Sequence, residues 1–97
     1  MFVHAVLFAV KPKEVAKYRA DSLMWARHTK KAPGFLAYRT MKRYGAKDQY
    51  ASIYQWEKKA HHDCFMHKYH DWLVAKSRAK VKVLSYYNLK QVDSLRQ

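Results

Sequence analysis

The sequence predicts an α+β domain with the element order βαββαβ. Three observations carry this reading. Four short segments are rich in β-branched and aromatic residues, two long segments lack Gly and Pro, and breakers sit where most of them meet. Residues 2–10 are almost uncharged and read as a buried strand ended by Lys11-Pro12. Proline suits the first position of a helix, so Pro12 opens the next element. Residues 13–31 are rich in the helix formers Ala, Lys, Glu and Arg. Ala16, Ala20, Leu23 and Met24 fall on one stripe there, which predicts the buried face. Ala32-Pro33-Gly34 stops this helix.

Residues 35–44 read as a second strand, Gly45-Ala46-Lys47-Asp48 as a hairpin turn with glycine at its start, and residues 49–57 as a third strand. Residues 58–79 form the second helix, with Phe65, Tyr69, Trp72 and Leu73 recurring at helical intervals. Residues 81–89 give a fourth strand, and residues 90–97 a polar tail of uncertain order. Two βα-type halves around a hairpin make the ferredoxin-like arrangement, a four-stranded antiparallel sheet with both helices on one face. Residues 1–97 are expected to form one domain.

Composition narrows the function classes. The chain has 20 basic and 7 acidic residues, a net charge of +13, but its 15% aromatic content belongs to a folding chain rather than a disordered one. No apolar run approaches the ~20 residues of a membrane helix. No secretory signal precedes the first strand, and the single Cys64 excludes an intramolecular disulfide framework, so a cytoplasmic protein is expected. The basic residues are spread over both halves without a block of like charge, a zinc-finger spacing or an RNP-like motif. A solvated basic surface is the plain reading. An electropositive mouth that draws in an anionic small molecule is the next, and nucleic acid the least favoured.

The strands carry a further message. An antiparallel sheet covered on one side alternates apolar and polar residues. In the first strand, Phe2, His4, Val6, Phe8 and Val10 share one face, and Val3, Ala5, Leu7 and Ala9 the other. In the third, Tyr50, Ser52, Tyr54 and Trp56 oppose Ala51, Ile53 and Gln55. Two helices cover only one face, so a second copy of the sheet is expected to cover the other, giving a homodimer. The competing reading is a monomer whose exposed aromatic face binds stacked bases.

Several of these residues carry a family resemblance. Ala32-Pro33-Gly34-Phe35-Leu36 before a strand, then Tyr54-Gln55-Trp56-Glu57 leading into a helix with His67 and His70, resemble the antibiotic biosynthesis monooxygenase (ABM) family of dimeric α+β barrels. His4-Ala5-Val6-Leu7-Phe8 and His67-Lys68-Tyr69-His70 also resemble the stress-responsive A/B-barrel family. The resemblance covers residues 2–89. It implies a small-molecule enzyme, a cofactor-independent monooxygenase acting on a hydrophobic aromatic compound between sheet and helices. It also admits heme binding or degradation, so heme is a possible cofactor. Heme-degrading members, however, pair a strand-one asparagine with a tryptophan and a histidine on helix two, and here the only asparagine is Asn88 on the last strand. A/B-barrel cyclases use a strand-one and a helix-two histidine in acid/base work, positions that His4 and His70 match, but their helix-two tyrosine falls at Cys64.

The candidate groups follow. His4 lies in an apolar strand face and is either a core histidine bonded to a carbonyl or hydroxyl, or a general acid/base. His67 and His70 are i, i+3 on a helix, and Asp63 precedes His67 by four residues. They read as an exposed face or as acid/base groups, and no further Cys/His cluster completes a metal site. His61-His62 reads as solvated, and His28 as surface. Tyr54, Trp56, Phe65 and Trp72 read as packing or as an aromatic wall for a flat ligand. Arg39 reads as an exposed strand charge or as a clamp for a carboxylate or oxyanion.

Overall fold

The computed structural model describes residues 1–97. Its elements are β1 (Phe2–Ala9), a 3-10 turn (Pro12–Glu14), α1 (Val15–Thr29), β2 (Phe35–Lys42), β3 (Gln49–Trp56), α2 (Lys59–Lys76) and β4 (Lys82–Lys90). The four strands form one antiparallel sheet in the order β2-β3-β1-β4, with both helices on one face, the ferredoxin-like arrangement. Pro12 does open the first helical turn. Gly34 and Gly45 both adopt positive φ, 81° and 75°, at the joints expected of them. Residues 91–97 carry no regular secondary structure, although β4 runs one residue further than expected, to Lys90, and the Gln91 N–H donates to the Met1 carbonyl at 2.9 Å.

Register decides which side chains share a face. His4 pairs with Tyr54 of β3 and with Asn88 of β4, Val6 with Ser52, and Phe2 with Trp56. These residues point toward the helices. Val3, Ala5, Leu7, Ile53, Met41, Tyr87 and Leu89 lie on the opposite, uncovered face. The register slips between Leu7 and Phe8 on the β1–β4 ladder, where Leu84 is the extra residue of β4, a bulge beside the cavity described below.

The core is aromatic. Phe2, Tyr54, Trp56, Phe65 and Leu73 are buried together, with Met24, Trp25, Phe35 and Met66 packed around them. The buried stripe of α1 differs from the expected one. Tyr18, Ser22 and Thr29 are buried with Trp25 half-buried on the same face, whereas Ala16, Ala20 and Leu23 are exposed. Large rings and hydroxyls, rather than alanines, face the sheet from α1. Two carboxylates of the α1 region fix the segment between α2 and β4. Asp21 accepts the backbone N–H groups of Arg78 and Ala79 at 2.8–3.1 Å, and buried Glu14 accepts that of Lys80 at 2.7 Å. No helix is long and apolar enough to cross a membrane.

Candidate functional site

Between the sheet and the two helices lies a cavity of about 330 Å³. Its sheet wall is His4, Val6 and Phe8 of β1, Ser52, Tyr54 and Trp56 of β3, and Val83 and Tyr86 of β4. Tyr18, Ser22 and Trp25 of α1 and His62, Phe65 and His70 of α2 close it from above. The size suits a small organic molecule, and the walls are mostly apolar with a few placed polar groups.

His4 is held on both sides. Its Nδ1 lies 2.8 Å from Asn88 Oδ1. An amide oxygen only accepts, so Nδ1 is the donor, and in the neutral ring Nε2 is the nitrogen with the free lone pair. The ring of His62 lies 4.4 Å from that of His4, centroid to centroid, and Tyr86 stacks at 6.2 Å on the exposed strand β4. His62 comes from the first turn of α2 and is buried against Phe2 and Trp56. Burial, and then the neighbouring His4, push its pKa down to about 4, so it stays neutral at ordinary pH.

The phenols are neutral too. Burial raises Tyr18 to about 12, and Tyr54 well above the usual tyrosine value. Tyr18 shares a 2.7 Å hydrogen bond with Ser52, and a hydroxyl chain continues from Ser52 through Tyr38 to Thr40 at the exposed edge of the sheet. Asp21 reaches the cavity, but the loop N–H groups occupy its carboxylate. Trp25 Nε1 donates to Ser77 at 2.9 Å. One group is unpaired: Trp56 is only 1% exposed, and its indole N–H has no partner. Buried donors are nearly always satisfied, and this one is sealed within the aromatic core rather than exposed to the cavity that the ring helps to line.

No family model matches the sequence, and no curated protein matches it. Solved structures do match in shape. SnoaB of Streptomyces nogalater, a cofactor-independent oxygenase, superposes with a TM-score of 0.81 at 13% identity, over 99% of this chain and 97% of that one. An antibiotic biosynthesis monooxygenase superposes with a TM-score of 0.67 at 18% identity, over 96% of this chain and 100% of the other. MupZ of Pseudomonas fluorescens gives 0.73 at 12% identity, over 88% and 67%. The chain has the ABM fold.

Within this ABM fold the structure brings together some of the residues singled out by sequence and separates others. His4, Tyr54, Trp56 and Phe65 line the cavity, and His70 stands at its half-open mouth, with Nδ1 3.0 Å from Asp71. His67 is exposed and outside the cavity, because a step of three residues turns it about 60° away from His70 around α2. Asp63 does not orient it, since Lys59 holds that carboxylate at 2.7 Å. Arg39 pairs across the sheet with Ile53, so it lies on the uncovered face, where it donates to Gln55. Trp72 is 45% exposed and packs against His28 on the outside of the helix layer.

Sequence reading missed His62, Tyr18, Trp25 and Tyr86. His62 read as solvated because it opens a helix beside His61. Only the crossing of α2 over the β1–β3 end buries it. Asn88 was visible as the sole asparagine, but its role needed the register that sets it beside His4.

Proposed function

We propose that the protein is an ABM-like small-molecule enzyme that oxygenates a hydrophobic, hydroxylated aromatic compound without a cofactor. Dioxygen reacts slowly with closed-shell molecules unless they are electron-rich. A base that removes a proton from a phenol or an activated CH₂ supplies such an anion. The balanced reaction converts a CH₂ and O₂ to a C=O and water, with two C–H bonds broken and no external reductant. His4 is the base through Nε2, and Asn88 fixes its tautomer. His70 is the second acid/base group at the mouth. Tyr54, Phe65 and Trp56 hold the rings.

The single observation that carries this reading is the His4–Asn88 pair, whose histidine lines an aromatic cavity of small-molecule size. The basic surface supports capture of an anionic substrate by steering, and the uncovered apolar sheet face supports a homodimer as the working particle. Oxygen uptake measured against hydroxylated polycyclic aromatics tests the function. Turnover is expected, and His4→Ala is expected to lower it by about 10²–10⁴-fold. The His4→Ala/His70→Ala double variant should fold and lose turnover altogether. Full activity in that double variant would end the assignment.

A further inference from the structure

A second cavity, of about 350 Å³, lies on the other side of Phe65, which forms a wall of both. It is a groove between the end of α1 with the segment just past it and the first half of α2, with Ala32 and Pro33 in its wall. Its character is opposite to that of the first. Lys31, Lys68, His28 and His61 line it, and no Asp or Glu does. Neither lysine is in an ion pair. The acids nearest on α2, Asp63 and Asp71, are engaged by Lys59 and His70.

Aromatic rings adjoin these cations. Tyr69 lines the groove, 5.2 Å from Phe65 and 6.5 Å from Trp72 between centroids, and both Tyr69 and Trp72 are more than 40% exposed. Trp72 already takes the Lys76 ammonium over its face at 4.6 Å and the edge of His28 at 4.8 Å. His61 also lines the groove, with its Nδ1 turned away against Gly34.

We propose that this groove is a second ligand site, and that it takes a small aromatic phosphate. The planar ring lies against Tyr69, with Trp72 behind His28 close enough to report on it, and the phosphoryl group sits between Lys31 and Lys68 with the imidazoles of His28 and His61 beside it. Four basic side chains without an acid match a dianion better than a single carboxylate, and lysine serves phosphate as a mobile point charge. The basic groups gather around one groove of about 350 Å³, the size of a small molecule, instead of tracking along a surface, which favours a small molecule over a nucleic-acid strand. The site shares only Phe65 with the first cavity, so it stands whether or not the oxygenase reading does.

The probe is adenosine monophosphate, followed by calorimetry and by tryptophan fluorescence in low salt, with inorganic phosphate, adenosine and an oligouridylate as separate arms. Saturable 1:1 binding is expected, with quenching that disappears in Trp72→Phe. Lys31→Gln/Lys68→Gln, both at exposed positions, should weaken it by at least about tenfold, the loss expected for one charge-assisted contact. Tyr69→Ala should weaken it as well, and His4→Gln in the first cavity should leave it unchanged. Absence of saturable binding, or binding indifferent to the lysine pair, overturns the site. Inorganic phosphate binding as tightly as the nucleotide overturns the aromatic half. An oligouridylate bound far more tightly, with a steep salt dependence, overturns the small-molecule assignment.

Discussion

His62 shows how much one buried side chain commits the protein to a pH range. In the unfolded chain it takes up a proton near its ordinary value of 6.5, but in the folded protein only near 4. Between those values the unfolded state binds more protons, so each step to lower pH favours unfolding. Stability measured by urea denaturation is therefore expected to fall from pH 6.5 to about pH 4. In His62→Gln the fall should be visibly shallower. An identical pH profile in that variant would show that His62 is not held neutral. The partner residue gives a second prediction. Asn88→Ala leaves His4 free to swap tautomers, so oxygen uptake should drop by about tenfold or more while ligand binding persists. Equal loss of binding would make Asn88 a ligand contact. At this scale the sequence was half legible. His4 stood out because an imidazole in an apolar strand needs a reason. His62 did not, because burial of a helix-opening residue depends on what the helix crosses. His67 looked as good as His70, because spacing gives a face but does not say which way it turns.

The elements were far more legible than their faces. The strand and helix boundaries fall within a few residues of those read from breakers and periodicity, since Ala32-Pro33-Gly34 and Gly45 act locally. The buried side of α1 was misread except at Met24, because a stripe of small apolar residues competes with one of rings and hydroxyls, and spacing alone does not say which turns toward the sheet. The clamp on the α2–β4 segment was also invisible, since Asp21 and Glu14 act on backbone N–H groups about 60 residues away. Asp21→Ala removes charge-assisted bonds to the Arg78 and Ala79 N–H groups. It is expected to cost about 2 kcal/mol in urea melts and to loosen the cavity wall at Ser77 and Ala79. The Lys80 N–H, followed by Lys17 and its neighbours, holds Glu14 below the ordinary value of 4.5. Its support for the fold is therefore present above that value and is lost as pH falls through its lowered pKa. Gly34 is fixed by two constraints at once. Its φ of 81° disfavours any side chain, and the His61 ring occupies the space a Cβ would need. Gly34→Ala is expected to cost at least about 2 kcal/mol; a neutral effect would mean that the turn can rebuild.

At the scale of the whole molecule, the helices sit over β1, β2 and β3, and nothing covers the opposite face of the sheet. Met41, Tyr87 and Leu89 on that face are each about half exposed, while Val3, Leu7, Ile53 and Ala51 between them are only partly shielded. This was the most legible global feature, because a period of two with apolar residues at both phases requires two covers and the chain supplies one. A contiguous apolar face of this kind is rare on a monomer. A second copy offers a cover of the same shape, twist and chemistry, related by a two-fold axis. Arg39 and Gln55 on the same face are already paired with each other, so the polar groups most in need of water there are partly satisfied before association. A net charge of +13 per chain opposes the pairing at long range. The dimer should accordingly tighten as added salt screens that repulsion. Sedimentation equilibrium is expected to give the mass of two chains. Ile53→Lys/Leu89→Lys, two charges facing the partner from the middle and the edge of the sheet, should give one chain with the first cavity intact. A wild-type monomer at micromolar concentration would leave the second face to some other cover. A double variant that stays dimeric would move the interface off this face altogether.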